Sequence, residues 1–212
     1  MNIQINGKDY EVNIIYKDNK NMYLRIKDDL SIQVTTPKRM PKNRISSFIN
    51  NNLEYIAKVI TRKETVKEAK KGKFEFLGKL YEINYINKRR IELGSTKVFL
   101  GKDVNIDNWY RKQAKEIFQN MYDKCFANFK TRKKKPELKI RKMKSKWGVC
   151  NVTNNIITLN LELIKLDPVC LNYVIFHELC HLKHPNHSKD FWREVEIYVP
   201  DYKIIKKMMK NV

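Results

Sequence analysis

The chain has 212 residues, with 44 Lys and Arg against 23 Asp and Glu, a formal net charge of +21 with histidine neutral. That length accommodates one or two domains, and 42% hydrophobic residues suffice for a packed core, which excludes wholesale disorder. The opening MNIQINGKDYEV lacks the apolar stretch of a secretion signal, and no later run approaches the roughly 20 apolar residues of a membrane helix, so a cytoplasmic protein with no membrane partner is expected. Cys125, Cys150, Cys170 and Cys180 show no C-x-x-C pairing and read as packing thiols of a reducing compartment. The positive surplus suits an anionic partner such as nucleic acid or a nucleotide, although Lys, Asn and Ile abound along the whole chain and part of the charge reflects that composition.

Residues 2 to 36 alternate apolar and polar with turn signals at Asn6-Gly7 and Asp28-Asp29, which predicts short antiparallel strands. After Pro37 and Pro41 the period changes: Ile45, Phe48, Ile49, Leu53, Ile56, Ala57 and Ile60 form one apolar face, predicting a single amphipathic helix over 42–70. A hairpin about Gly78 (74–86) and a strand at 97–101 follow. The elements up to residue 95 make a β-rich N-terminal lobe over 1–95, followed by a second lobe over 96–212. No internal repeat or long flexible linker stands out.

From Asp107 a long helix is drawn by Tyr110, Ala114, Ile117, Phe118, Met121, Tyr122, Cys125 and Phe129. The run Arg132 to Lys135 before Pro136 reads as an exposed helix exit. Residues 138–149, LKIRKMKSKWGV, predict a lysine-rich edge strand whose phase slips at Arg141-Lys142, with 156–160 as its partner across Asn154-Asn155.

All four histidines lie between 177 and 187, in FHELCHLKHPNHSKDFW. His177, Glu178 and His181 form H-E-x-x-H behind the apolar entry LNYVIF, and one helical turn brings both imidazoles to one face, where they can share a metal. A catalytic zinc takes three protein ligands and keeps a position for water. Pro185 stops the helix near His184, and His187, past that break, is the favoured third ligand; His184, Glu194 and Glu196 are the alternatives. Ser188 is a suitable N-cap for the next helix. Glu178 is the expected general base toward a zinc-bound water, while Cys180 points elsewhere. Arg193, Tyr198 and Tyr202 are available as oxyanion donors, and the sequence does not choose among them.

With these motifs, MKSKWGVCN, then IITLNLELIKLDP, then LNYVIFHELCHLKHPNHSKDFW and PDYK, the chain resembles the YgjP-like metallopeptidase domain family of bacteria, most strongly from about 140 to 205. SprT-like and Wss-type proteases are similar in their H-E-x-x-H-x5-H arrangement, which matches His177, Glu178, His181 and His187. The resemblance implies an α+β fold with a zincin-like catalytic lobe, a zinc cofactor and hydrolysis of a polypeptide. One position departs from it: where that family has W-G-S-C, this chain has Trp147-Gly148-Val149-Cys150. Trp147 and Gly148 then line a cleft edge on which an extended substrate adds as a strand. The resemblance leaves room for nucleoside-triphosphate hydrolysis, which the basic stretch carrying Lys144 and Lys146 suits. A nucleic-acid-binding module with structural zinc is the remaining alternative, and it requires a fourth protein ligand such as His184 or a cysteine.

Overall fold

The computed structural model describes residues 2–27 and 29–210. The chain divides into two compact units, Met1–Lys71 and Gly72–Val212.

In the first unit, β1 (Asn2–Ile5), β2 (Lys8–Lys17), β3 (Tyr23–Ile26) and β4 (Ile32–Pro37) form one sheet in the order β1-β2-β4-β3. The outer pairs are antiparallel and the central pair β2/β4 is parallel. Asn6 and Gly7 turn β1 into β2 with φ of 50° and 77°, the left-handed pair that a tight two-residue hairpin demands. The sequence predicts one helix over 42–70. Instead α1 (Lys42–Asn50) and α2 (Leu53–Lys70) are separated at Asn51-Asn52, where Asn52 leaves helical geometry and its Nδ2 donates to the Phe48 carbonyl at 2.8 Å. A short amide that bonds backbone competes with the helical ladder. The apolar stripe survives the break: Ile45, Ile49, Ile56 and Ile60 are buried in one core with Val12, Ile32 and Val34.

The second unit opens with β5 (Lys73–Phe76), β6 (Lys79–Ile86), β7 (Ile91–Leu93) and β8 (Lys97–Gly101), ordered β5-β6-β8-β7. Its pairing is that of the first sheet, antiparallel outside and parallel at the centre. The hairpin turn, Leu77-Gly78, again has two positive φ values, 48° and 78°. Gly7-Lys8-Asp9-Tyr10-Glu11-Val12-Asn13 corresponds to Gly78-Lys79-Leu80-Tyr81-Glu82-Ile83-Asn84, and both tyrosines are buried. The chain therefore carries a repeated four-stranded module, each copy running into a helix, contrary to the expectation of no repeat. The repeat also explains why the compact units divide at 71/72 and not at 95/96. The second module joins the later elements: Leu77 and Gly78 N–H donate to the Ile164 and Lys165 carbonyls at 2.9 and 3.0 Å, and Phe74, Phe76, Tyr81 and Val98 share one core with the helices that follow.

Next come α3 (Ile106–Asn128), capped by Asn105, and a third sheet of β9 (Glu137–Arg141), β10 (Gly148–Asn151) and β11 (Ile156–Asn160) in the order β10-β11-β9. The continuous strand expected over 138–149 is two edge strands joined by a loop at 142–147. Buried Asn160 organises that loop: its Oδ1 accepts from Met143 N–H at 3.1 Å, and its Nδ2 donates to the Met143 and Lys146 carbonyls at 2.9 and 2.8 Å. The backbone that alternation assigned to a strand is thus bonded to a side chain. A short 3-10 helix (Leu161–Lys165) leads into α4 (Pro168–Cys180), α5 (Lys189–Tyr198) and α6 (Tyr202–Met209). The architecture is α+β. Helix α4 is apolar on nearly every side and lies buried at the centre of the unit, against α3, β10, β11, α5 and α6. Among the described residues no helix is long and apolar enough to cross a membrane.

Candidate metal centre

Asp167 caps α4 by accepting from Val169 N–H at 2.9 Å, and Pro168, which has no N–H to satisfy, follows at the first helical position. The helix delivers His177 and His181 to one face, with ring centroids 5.1 Å apart. It ends sooner than Pro185 predicts: Cys180 is its last regular residue and His181 is the C-cap. The Cys180 carbonyl accepts from both Lys183 and His184 N–H, tightening the final turn, and Lys133 Nζ donates to the Leu182 carbonyl beyond it. The basic run 132–135 therefore supplies a cation to the negative end of α4. Ser188 caps α5 through Phe191 N–H at 3.3 Å, and the reversal between the helices returns His187 to the first two histidines.

His187 Nε2 lies 3.0 Å from His177 Nε2, and one donor atom from each of His177, His181 and His187 falls within 4.8 Å of the others. His181 Nδ1 donates to the His184 carbonyl at 3.0 Å, since a carbonyl only accepts, so its Nε2 lone pair is available. Burial drives the His177 pKa down to about 3, with His181, His187 and Lys206 adding to the effect, and burial likewise lowers that of His187. Neutral imidazoles are the form a metal requires. Two nitrogens bound tetrahedrally at about 2.05 Å would sit roughly 3.3 Å apart, close to the separation seen. The triad fits zinc, although His177 Nδ1 is buried without a hydrogen-bond partner.

The other proposed ligands are engaged elsewhere. Glu194 pairs with Lys183 at 2.6 Å and stands 3.9 Å from His184, and Glu196 pairs with Lys203 at 3.8 Å. His184 serves through its carbonyl, Cys180 is fully buried, and no fourth group joins the cluster among the described residues. Beneath the three imidazoles lies Phe191, wholly buried, with its ring centroid 4.9, 4.6 and 4.8 Å from those of His177, His181 and His187. Trp192 stacks on His187 at 5.5 Å. The aromatic pair Phe191-Trp192 went unread as part of the site because helical periodicity alone assigns it to core.

Glu178 is 5% exposed, and burial raises its pKa to about 7, against the opposing pull of a hydrogen bond from Cys150 N–H and the charge of Lys146. Its carboxylate packs on Gly148 so closely that a Cβ there would sit 2.6 Å from Oε1. That glycine is required for close approach, since its φ is not in the left-handed region.

A cleft of about 660 Å³ runs past Glu178, His177, His181 and His187. Lys146, Trp147 and Gly148 line it as expected, and so does Val149. Lys144 and Arg193 do not: Lys144 projects from the exposed loop, and Arg193 pairs with Asp190 at 3.0 Å. Tyr198 stacks on Phe176 and accepts from Lys130 N–H, while Tyr202 stacks on Trp192 and borders a neighbouring cavity instead. The cleft also holds residues that the sequence does not place at the site, among them Tyr173, Lys206 and Lys210. Nor is the basic stretch a free cluster: Lys139 pairs with Glu137 at 3.5 Å, and Lys142 with Asp107 at 3.3 Å and Glu162 at 3.6 Å.

The profile of the family described as YgjP-like, metallopeptidase domain, matches residues 20–212. The chain belongs to the YgjP-like family. Membership makes it a metallopeptidase-type hydrolase whose chemistry depends on a metal, typically zinc. Solved structures similar to it include two metallopeptidase zymogens. The metallopeptidase zymogen abylysin of Pyrococcus abyssi shares 26% identity, covering 47% of this chain and 94% of that one, with a TM-score of 0.37. The metallopeptidase zymogen jannalysin of Methanocaldococcus jannaschii shares 22% identity, covering 45% of this chain and 97% of that one, with a TM-score of 0.40. No curated protein matches the chain.

Proposed function

We propose that the chain is a zinc metallopeptidase in which His177, His181 and His187 hold the metal and Glu178 is the general base. The observation that carries this reading is a buried carboxylate, pKa about 7, beside a three-imidazole cluster and opening on a cleft. When bound, zinc would acidify a water and polarise the scissile carbonyl. Glu178 accepts the proton of the attacking water and passes it to the departing amine, and a base with a pKa near the working pH does both steps well. Cys150 N–H and Gly148 fix where that carboxylate stands.

Strand β10 is suited to hold the substrate. It is an edge strand, and Asn160 N–H bonds to the Trp147 carbonyl, so the groups of Gly148 and Cys150 face away from β11; Glu178 takes the Cys150 N–H, which leaves the Gly148 groups and the Cys150 carbonyl for a substrate. An extended polypeptide can pair along that side, with Val149, Val152 and Met209 bordering the cleft around its side chains. Glu178→Gln tests the mechanism: zinc content by elemental analysis should be retained while peptide hydrolysis falls by about 10²–10⁴-fold. Undiminished turnover in that variant would remove Glu178 from the role.

A second reading, hydrolysis of nucleoside triphosphates, is favoured by one observation, the presence of Lys146, Lys206 and Lys210 along the cleft. Release of phosphate or pyrophosphate by zinc-loaded protein, absent in Glu178→Gln, would establish it in place of peptide cleavage.

A further inference from the structure

Beside the cleft, on the side of α6, lies a second cavity of about 380 Å³ bordered by Trp192, Tyr202, Lys203, Lys206, Lys207 and Lys210. Lys206 and Lys210 border both spaces. The four lysines recur at the spacing that aligns one helix face, while Tyr202, Ile205 and Met209 occupy the buried face. Only Lys203 has an acidic partner, Glu196 at 3.8 Å; among the described residues no carboxylate pairs with Lys206, Lys207 or Lys210. Like charges three and four residues apart destabilise a helix. Cations at a helix end offset its dipole, which accounts for Lys206 and Lys207 in the last turn and Lys210 at the C-cap, but not for one of them leaning inward over an aromatic ring. Lys206 is that one: half-buried, its Nζ lies 4.0 Å over the Trp192 ring, whose neighbour His187 is a proposed ligand.

We propose that Lys206, Lys207 and Lys210 form an anion subsite that takes the acidic side chains of a polypeptide lying in the cleft. This inference rests on the peptidase reading of the cleft and adds its substrate class: acidic polypeptides. Charge complementarity selects the occupant, since among the described residues the cleft and the shelf beside it offer ammonium groups and, apart from the proposed base Glu178, no carboxylate. The aromatic rings of the shelf are not open platforms for a nucleobase. Trp192 already carries Tyr202 at 5.2 Å, His187 at 5.5 Å and the Lys206 ammonium, and Lys203 Nζ lies 5.6 Å over Tyr202. The shelf reads charge, and the open cleft with its edge strand accommodates the chain that bears it.

The test separates binding from catalysis. Zinc-loaded Glu178→Gln protein is titrated with three fluorescein-labelled decapeptides of matched hydrophobicity, one neutral, one with four Glu and one with four Lys, and binding is read by anisotropy at low and high salt. The acidic peptide should bind about tenfold more tightly than the neutral one at low salt, and an added Lys206→Met and Lys210→Met pair should erase that margin. Lys207→Glu, on the exposed side of α6, serves as a second variant and should reduce the margin roughly threefold. Equal affinity for acidic and neutral peptides, or a margin that survives both variants, overturns the subsite. So does competition by inorganic tripolyphosphate without any acidic-peptide preference. Failure of the peptidase reading shows differently: the wild-type protein then cleaves none of the three peptides, whatever their affinities. Cleavage of all three at equal kcat/KM refutes the subsite and leaves the peptidase.

Discussion

Replacing Gly148 by alanine tests whether the proposed base is positioned by contact. An added Cβ would lie 2.6 Å from Glu178 Oε1, 2.7 Å from Cγ and 2.9 Å from Cδ, whereas ordinary contact begins at 3.4 Å. Glu178 must therefore retreat by about 0.8 Å, or β10 must move outward by as much. Displacement of a reacting group by about 1 Å costs on the order of 10²-fold in rate, so kcat for a peptide substrate should fall 10- to 100-fold. The same overpacking should lower stability by about 1–3 kcal/mol in urea denaturation. Zinc content should not change, because the substitution touches none of the three histidines. A double-mutant cycle isolates the cause: with Glu178 already shortened to alanine, the stability cost of Gly148→Ala should vanish. Wild-type kcat in Gly148→Ala, or a stability cost undiminished in the Glu178→Ala background, would refute the reasoning.

Phe191→Leu removes the ring shared by all three imidazoles and should weaken zinc affinity by about 10- to 100-fold in chelator competition, with helix content retained. Asn160→Leu leaves the Met143 and Lys146 carbonyls and the Met143 N–H without their partner; we expect a loss of roughly 3 kcal/mol in chemical denaturation and a raised KM as the 142–147 loop loosens. In chelator-treated protein, the raised pKa of Glu178 sets a pH dependence. Its folded pKa of about 7 lies above its ordinary 4.5, so the carboxyl imposes nothing below pH 4.5 and its full penalty above pH 7. Glu178→Gln should therefore gain roughly 3 kcal/mol over the parent between pH 4 and pH 8, and a flat difference across that range would disprove the burial argument.

The histidine cluster was legible because two of its members depend on helical spacing alone, and His177 and His181 need only one turn of α4 to meet. His187 was legible because Pro185 breaks the helix and Ser188 starts another. Discarding Glu194 and Glu196 needed the structure, since their partners Lys183 and Lys203 are known only once the helices pack. The strand expected over 138–149 failed for a local reason: alternating lysines mimic a strand, and nothing nearby in sequence announces that Asn160 will take the backbone of Met143 and Lys146. The repeat did leave a signal, G-K-x-Y-E-[VI]-N at 7–13 and 78–84, but it is short, and elsewhere the modules share only alternation. Lys206 and Lys210 were out of reach because their place along the cleft depends on how α6 lies against α4.

The two hairpin turns of the repeated module have come to different ends. A side chain added at Gly7 would meet nothing within 4 Å, whereas one at Gly78 would strike Asp167 Cα at 2.9 Å, at the residue that starts α4. The second turn also donates two backbone hydrogen bonds to the segment just before that start. One local conformation, written twice, thus faces open space in the first copy and in the second acts as a stop for the rod that carries His177, Glu178 and His181. Mutational drift at the first turn has only its own backbone strain to answer for. At the second, the same drift would shift the origin of α4 and be read out three helical turns away, at the imidazoles.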